Sequence, residues 1–272
     1  MEVQIIEAKR AERHYWQDLW RYRELFYFLA WRDVLVRYKQ TVIGVVWALI
    51  RPLLTMLVFT FVFGRLAKMD SGAVPYPILV FAGLLPWQFF GSSLIECSNS
   101  LILNSNMISK VYFPRLIIPA SSIIVAFVDF LITFALLGVL MVWFQFVPSW
   151  RIVFLPIFIG IVFLAAMGAG LWFGALNVRF RDFRYVVPFM IQMGLYISPV
   201  GFSTNEVPEQ WRFLYSLNPM VGVIDGFRWA LLGGENTLYW PGFVTSLVLV
   251  VALFWSGIAF FRRFERTFAD VI

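Results

Sequence analysis

Few side chains in this sequence are of the types that carry out covalent chemistry, and those few stand apart. Histidine occurs once, as His14, and cysteine once, as Cys97. One of each builds neither a metal-ligand cluster nor a nucleophile–base pair, and a lone cysteine supports no intrachain disulfide. The four lysines, Lys9, Lys39, Lys68 and Lys110, follow Ala8, Tyr38, Ala67 and Ser109. None closes the Gly-Lys-Ser/Thr of a phosphate-binding loop, so an ATP-driven role would need a separate subunit for the nucleotide. Glu206, Glu209, Asp225 and Glu235 are scattered and lack a histidine partner, which weighs against a membrane-embedded transferase.

The elements that must position the remaining polar residues are apolar. The 272 residues are 61% hydrophobic and only 14% charged, outside the range of soluble domains. Apolar windows fall at 42–64, 76–98, 116–147, 152–176, 186–202 and 241–261. A hydrocarbon core of about 30 Å takes about 20 helical residues, so the expectation is an all-α integral membrane protein with six transmembrane helices. Arg51 lies about nine residues into the first window, roughly 14 Å at 1.5 Å per residue. Asp129 is at similar depth in the third. Charges in lipid are costly and face a partner or a wet interior. An Arg51–Asp129 ion pair is one arrangement; longer spans with snorkelling side chains are the other. Glu96 either serves function or marks an exposed helix end, and Pro52 can kink the first helix.

Basic residues give the orientation. Sixteen Lys and Arg fall on the termini and the two loops on their side, against five on the opposite loops. By the positive-inside rule both termini are cytoplasmic, and this topology accounts for the net charge of +6 better than nucleic acid does. The first 40 residues mix acids and bases without a short apolar run and cleavage site, so no cleavable signal peptide is expected. Within 15–31, Tyr15, Leu19, Tyr22, Phe26 and Leu29 recur at helical spacing, and Trp16, Trp20 and Tyr27 widen that face. Such a face suits a helix lying in the headgroup layer, or one packed on a partner.

Ala166, Gly170 and Gly174 form a small-residue stripe for close helix packing, within the bundle or across a dimer. The fifth window is short and bracketed by Pro188 and Pro199, which suggests an irregular element lining a cavity. The stretch 219–232 is too apolar for a solvated loop and too short to span, so a re-entrant or interfacial hairpin on the outer side is expected. Asp225 and Arg228, three apart, can pair on one helical face. Most of the 30 phenylalanines are packing or lipid-facing residues. Trp47, Phe59, Phe63, Phe189 and Tyr196 could line a conduit, where ring faces would let a sugar polymer slide.

Several stretches are similar to a known family. Arg37-Tyr-Lys-Gln-Thr-Val-Ile-Gly-Val-Val-Trp47 with Arg51-Pro52 resembles the entry to the first helix of type-2 ABC exporter permeases. So do Phe81-Ala-Gly-Leu-Leu-Pro-Trp-Gln-Phe-Phe90, Asn104-Ser-Asn-Met-Ile-Ser-Lys-Val-Tyr-Phe-Pro-Arg115, Leu176-Asn-Val-Arg-Phe-Arg-Asp182 and Leu217-Asn-Pro-Met220. In this order they resemble the polysaccharide-export branch, which serves O-antigen, capsule and teichoic acid.

The resemblance implies a non-enzymatic permease in the inner membrane that works as a homodimer. Two copies of a nucleotide-binding subunit would carry the ATP and magnesium, leaving this chain without a cofactor. The cargo implied is lipid-linked polysaccharide, O-antigen foremost, with teichoic acid, capsule or a small lipophilic cargo as alternatives. Residues 1–40 would be a cytoplasmic segment with the interfacial helix, 41–262 the permease domain and 263–272 a cytoplasmic tail. A coupling loop at 99–115 would dock on the ATPase through Asn104, Asn106, Met107, Lys110, Phe113 and Arg115. The loop carrying Arg179 and Arg181 would be secondary. An external gate hairpin at 203–236 would hold Trp211, Asn218, Asp225 and Arg228.

Overall fold

The structure, a computed structural model, describes residues 15–39, 42–69, 72–233, 238–265 and 268. His14, Lys9, Glu235, Arg266 and most of the tail 263–272 lie outside the described residues. Two helices, α1 (Tyr15–Arg21) and α2 (Arg23–Tyr38), precede α3 (Val42–Phe59), which continues as a π-helical turn over Thr60–Leu66. Then come α4 (Tyr76–Leu103), the single turn α5 (Ser105–Ile108) and α6 (Ile117–Trp143). A 3-10 turn at Trp150–Phe154, capped by the Ser149 hydroxyl, leads into α7 (Leu155–Arg179). The chain ends through α8 (Phe183–Ile197), a 3-10 turn at Thr204–Glu206, α9 (Glu209–Tyr215), α10 (Pro219–Leu232) and α11 (Trp240–Glu265).

Five of these stretches are long and apolar enough to cross a membrane: Val46–Leu66, Tyr76–Leu103, Ile117–Trp143, Trp150–Arg179 and Trp240–Glu265. They match five of the six predicted windows. The sixth, 186–202, folds as the 15-residue α8, about 22 Å long and too short to cross alone. Ser198, Pro199 and the loop after them end it early. Pro188 lies inside α8 rather than at its edge.

Packing is unequal. In α4, 83% of the most apolar window is buried, against 17% in the Val46–Leu66 span and 22% in α11. Helix α4 is therefore the axis of the bundle, and α6, α7 and α10 gather round it, with α3 at the rim. The glycine stripe of α7 works inside the chain: a Cβ on Gly170 would meet Cys97 Cβ at 2.7 Å, so α4 seats against it. Gly168 serves a second neighbour, with a Cβ there reaching Phe254 Cα at 2.7 Å. A Cβ on Gly257 would in turn collide with the Gly168 carbonyl, so α7 and α11 cross backbone to backbone. Gly168 and Gly257 were not among the expected packing residues.

Candidate functional site

At the end of α2 an ionic knot ties this helix to the bundle. Arg37 pairs with Glu96 of α4 and Asp129 of α6, each at 2.7 Å. Tyr38 donates its hydroxyl proton to the other oxygen of Asp129. Burial, and then the Asp129 carboxylate, push the Tyr38 phenol up, so it stays a proton donor throughout the physiological range. The stripe Tyr15, Leu19, Tyr22, Phe26 and Leu29, buried or partly buried, packs α1 and α2 onto the core of the same chain, so this face is not the one left for the headgroup layer. Trp16, Trp20 and Tyr27 do not widen that stripe. With Phe28 and Trp31 they form an exposed aromatic flank, because one residue of helical advance turns each out of the inward face.

Of the two arrangements open to Arg51 and Asp129, the ion pair does not form: among the described residues none joins them, and both Asp129 oxygens go to Arg37 and Tyr38. Arg37 reaches Asp129 from α2, outside the apolar windows, so depth within a span does not point to it. Arg51 instead borders a cavity of about 500 Å³ together with Trp47, Arg37, Asp129, Gln88 and Thr133.

Three of the proposed conduit aromatics come together at the other end of α3. Phe59 stacks on Tyr196 of α8 with ring centroids 6.1 Å apart, and Phe63 lies 5.4 Å from Phe59. Phe202, not foreseen, extends the row at 6.3 Å from Phe63, and Tyr215 follows at 6.4 Å. Gly201 makes room, since a Cβ there would meet both Phe59 and Phe63 at 2.7 Å. Phe189 is exposed on α8 and Trp47 belongs to the Arg51 cavity, so neither joins this row.

Helix α10 is packed into the bundle, not spread on its surface, with Val223, Ile224, Phe227, Ala230 and Leu231 fully buried. Asn218 caps it, accepting from the Met220 N–H at 3.0 Å and donating to Ser198 Oγ at 2.9 Å. Asp225 and Arg228 make no ion pair of contact distance among the described residues. Arg228, 2% exposed, donates to the carbonyls of Leu79 (3.2 Å), Val200 (2.8 Å) and Phe202 (2.7 Å). Gly83 permits this, because a Cβ there would lie 2.8 Å from the guanidinium. Burial lowers Arg228 to about 10, still charged at neutral pH. Asp225 accepts from the Thr204 hydroxyl at 2.8 Å, and burial raises its carboxyl to about 6. Trp211 is exposed on α9.

The loop between α4 and α6 divides its predicted contact residues. Asn106 and Lys110 are exposed. Asn104 accepts from Arg32 at 2.9 Å, Met107 packs on the core and Phe113 is buried. Arg115 is held by Glu265, whose carboxylate accepts from the Arg115 backbone N–H at 2.8 Å and whose carbonyl accepts from its guanidinium. The outward tip thus consists of Leu103, Asn106, Ser109, Lys110, Val111 and Tyr112. Arg179, the last residue of α7, and Arg181 beyond it are exposed, Arg179 lying 5.3 Å over the Phe180 ring.

Comparison with known proteins joins these parts. The chain is 28% identical over 252 residues to an O-antigen export system permease protein, RfbA, of Klebsiella pneumoniae, covering 89% of this chain and 92% of that one. RfbA of Myxococcus xanthus is 25% identical over 94% of this chain and 98% of its own. The polysialic acid transport protein KpsM of Escherichia coli is 23% identical over 86% and 91%. A family model described as ABC-2 type transporter matches residues 24–232, from α2 through the end of α10. That span takes in the ionic knot, the outward loop, the aromatic row and the Arg228 clamp, and the chain belongs to the ABC-2 type transporter family.

Proposed function

We propose that this chain is the membrane permease of an ATP-driven exporter that moves lipid-linked polysaccharide, O-antigen foremost, out across the inner membrane. The observation that carries this reading is similarity to export permeases along 86–94% of the chain, without a long unmatched segment. The KpsM relative keeps a capsule-type glycan as a second cargo of the same class.

Two copies would form the conduit, each joined beneath by a nucleotide-binding subunit at the tip around Lys110 and Tyr112. Both termini would be cytoplasmic, and the exposed aromatic flank of α1 and α2 would rest in the headgroup layer. A sixth pass would be made by α8 with the 198–202 segment, and α9 with α10 would form the outer hairpin. The aromatic row offers ring surface to pyranose C–H groups through Tyr196, which is exposed, and the partly exposed Phe63 and Phe202, with Phe59 buried behind them, a wall with little to bind tightly.

The test is complementation. The chain, expressed with its cognate ATPase in a strain lacking its own exporter, should restore surface polysaccharide and co-purify with the ATPase. K110E combined with Y112A should weaken that co-purification and export together. Full export by the double variant would overturn the docking assignment, and no surface glycan with the wild-type pair would overturn the cargo.

A further inference from the structure

Of the four charged groups around the α2–α4–α6 knot, three answer one another. Arg37 is held by Glu96 and Asp129, and Asp129 also by Tyr38. Arg51 is the fourth, and among the described residues its guanidinium has no acceptor. It sits well inside an apolar helix, where an arginine without a partner faces a wet cavity or a ligand. The cavity it borders, about 500 Å³, is within the range of about 300–1,000 Å³ typical of small-ligand sites. Trp47 lies one helical turn before Arg51 on the same face, half-exposed, and also lines the cavity. Gln88 and Thr133 add polar groups to the opposite wall.

This set is asymmetric. Its carboxylate oxygens are already engaged, its free strong donors belong to Arg51, and its free aromatic face belongs to Trp47. A planar guanidinium with open donors matches phosphate oxygens as a fork, and an indole matches a pyranose face. We propose that this cavity binds the phosphate-bearing first sugar of a lipid-linked glycan, Arg51 taking the phosphate and Trp47 the ring. The inference rests on the polysaccharide-export reading and specifies which end of the cargo is held. Arg37, Arg51, Glu96 and Asp129 sum to zero charge, so binding depends on hydrogen-bond geometry more than on a broad positive field, and its salt dependence is shallow.

The experiment uses the permease assembled with its ATPase subunit in lipid nanodiscs. The probes are a short-chain polyprenyl diphosphate carrying one sugar, the same lipid without sugar, and inorganic diphosphate. R51Q should weaken both lipid probes by about tenfold or more, the loss of a charged hydrogen-bonding partner. W47A should weaken only the sugar-bearing probe, and inorganic diphosphate should compete poorly. Wild-type binding by R51Q, or inorganic diphosphate competing as well as the lipid, overturns the site. If R51Q does not assemble, W47A decides: equal affinity for the sugar-bearing probe in W47A and wild type overturns it. Wild-type glycan export alongside any of these negative results removes the site and leaves the exporter reading intact. Absence of wild-type export removes that reading itself.

Discussion

Replacing Arg228 by methionine removes the clamp that holds the loop after α8 against α4 and α10. Three carbonyls lose a donor. Those of Val200 and Phe202 belong to irregular backbone, while Leu79 belongs to a helix whose own ladder also uses its carbonyl. A buried acceptor left unpaired costs about 1–3 kcal/mol, so two full losses and one partial loss give about 3–5 kcal/mol. Methionine has similar reach but cannot fill the planar slot beside Gly83. R228K should fall between, because one ammonium cannot reproduce a fork spread over three carbonyls. The assay is denaturant unfolding of the purified permease in mild detergent, followed by circular dichroism. A loss below about 1 kcal/mol for R228M would show that water or a rearranged loop satisfies these carbonyls, and the clamp argument would fail.

Asp225 predicts a pH effect. Its folded carboxyl titrates near 6, above the ordinary 3.8, so the unfolded chain gives up its proton first as pH rises. Stability is therefore fullest below about pH 4, declines up to about pH 6 and is level beyond. D225N, which stays neutral, should gain about 1–2 kcal/mol over wild type at pH 7.5 and little at pH 4, allowing for partial solvent contact. A difference independent of pH would refute the burial argument. At the α7–α11 crossing, G257A should cost about 1–3 kcal/mol, since only backbone can yield to the new methyl. G160A, where a Cβ meets nothing, is the control and should be neutral or slightly stabilising by the same unfolding assay.

The helices were legible because bilayer thickness imposes a length on apolar runs, and five windows of that length became spans. The sixth window folds as α8, which falls short of that length on its own. What the sequence concealed was which face of each apolar helix turns inward. In lipid both faces are apolar, so periodicity loses the contrast that soluble helices show. Gly168 and Gly257 illustrate this, since neither stands out until two distant backbones meet. Asp129 was recognised as an intramembrane charge and matched with Arg51 by depth alone. Its partner, Arg37, arrives from a helix outside the predicted spans, at a distance of 92 residues in sequence that no local spacing encodes. Phe59, Phe63 and Tyr196 do meet, because the C-terminal end of α3 and the turn after it come against the C-terminal end of α8. Trp47 and Phe189 lie too far along those helices to join them.

The sparse burial of α3 bears on how readily this helix can relocate. Only 17% of its apolar window is buried within the chain, and much of the rest is open to whatever medium surrounds it. Lipid tails are as apolar as leucine, so one neighbour can replace another there with little change in solvation. Sliding α3 along the bundle exchanges one greasy contact for the next, whereas moving α4 would strip a buried surface that no lipid could refill at the same density. If α3 lines the proposed conduit, that wall could widen while the α4 axis behind it keeps its shape.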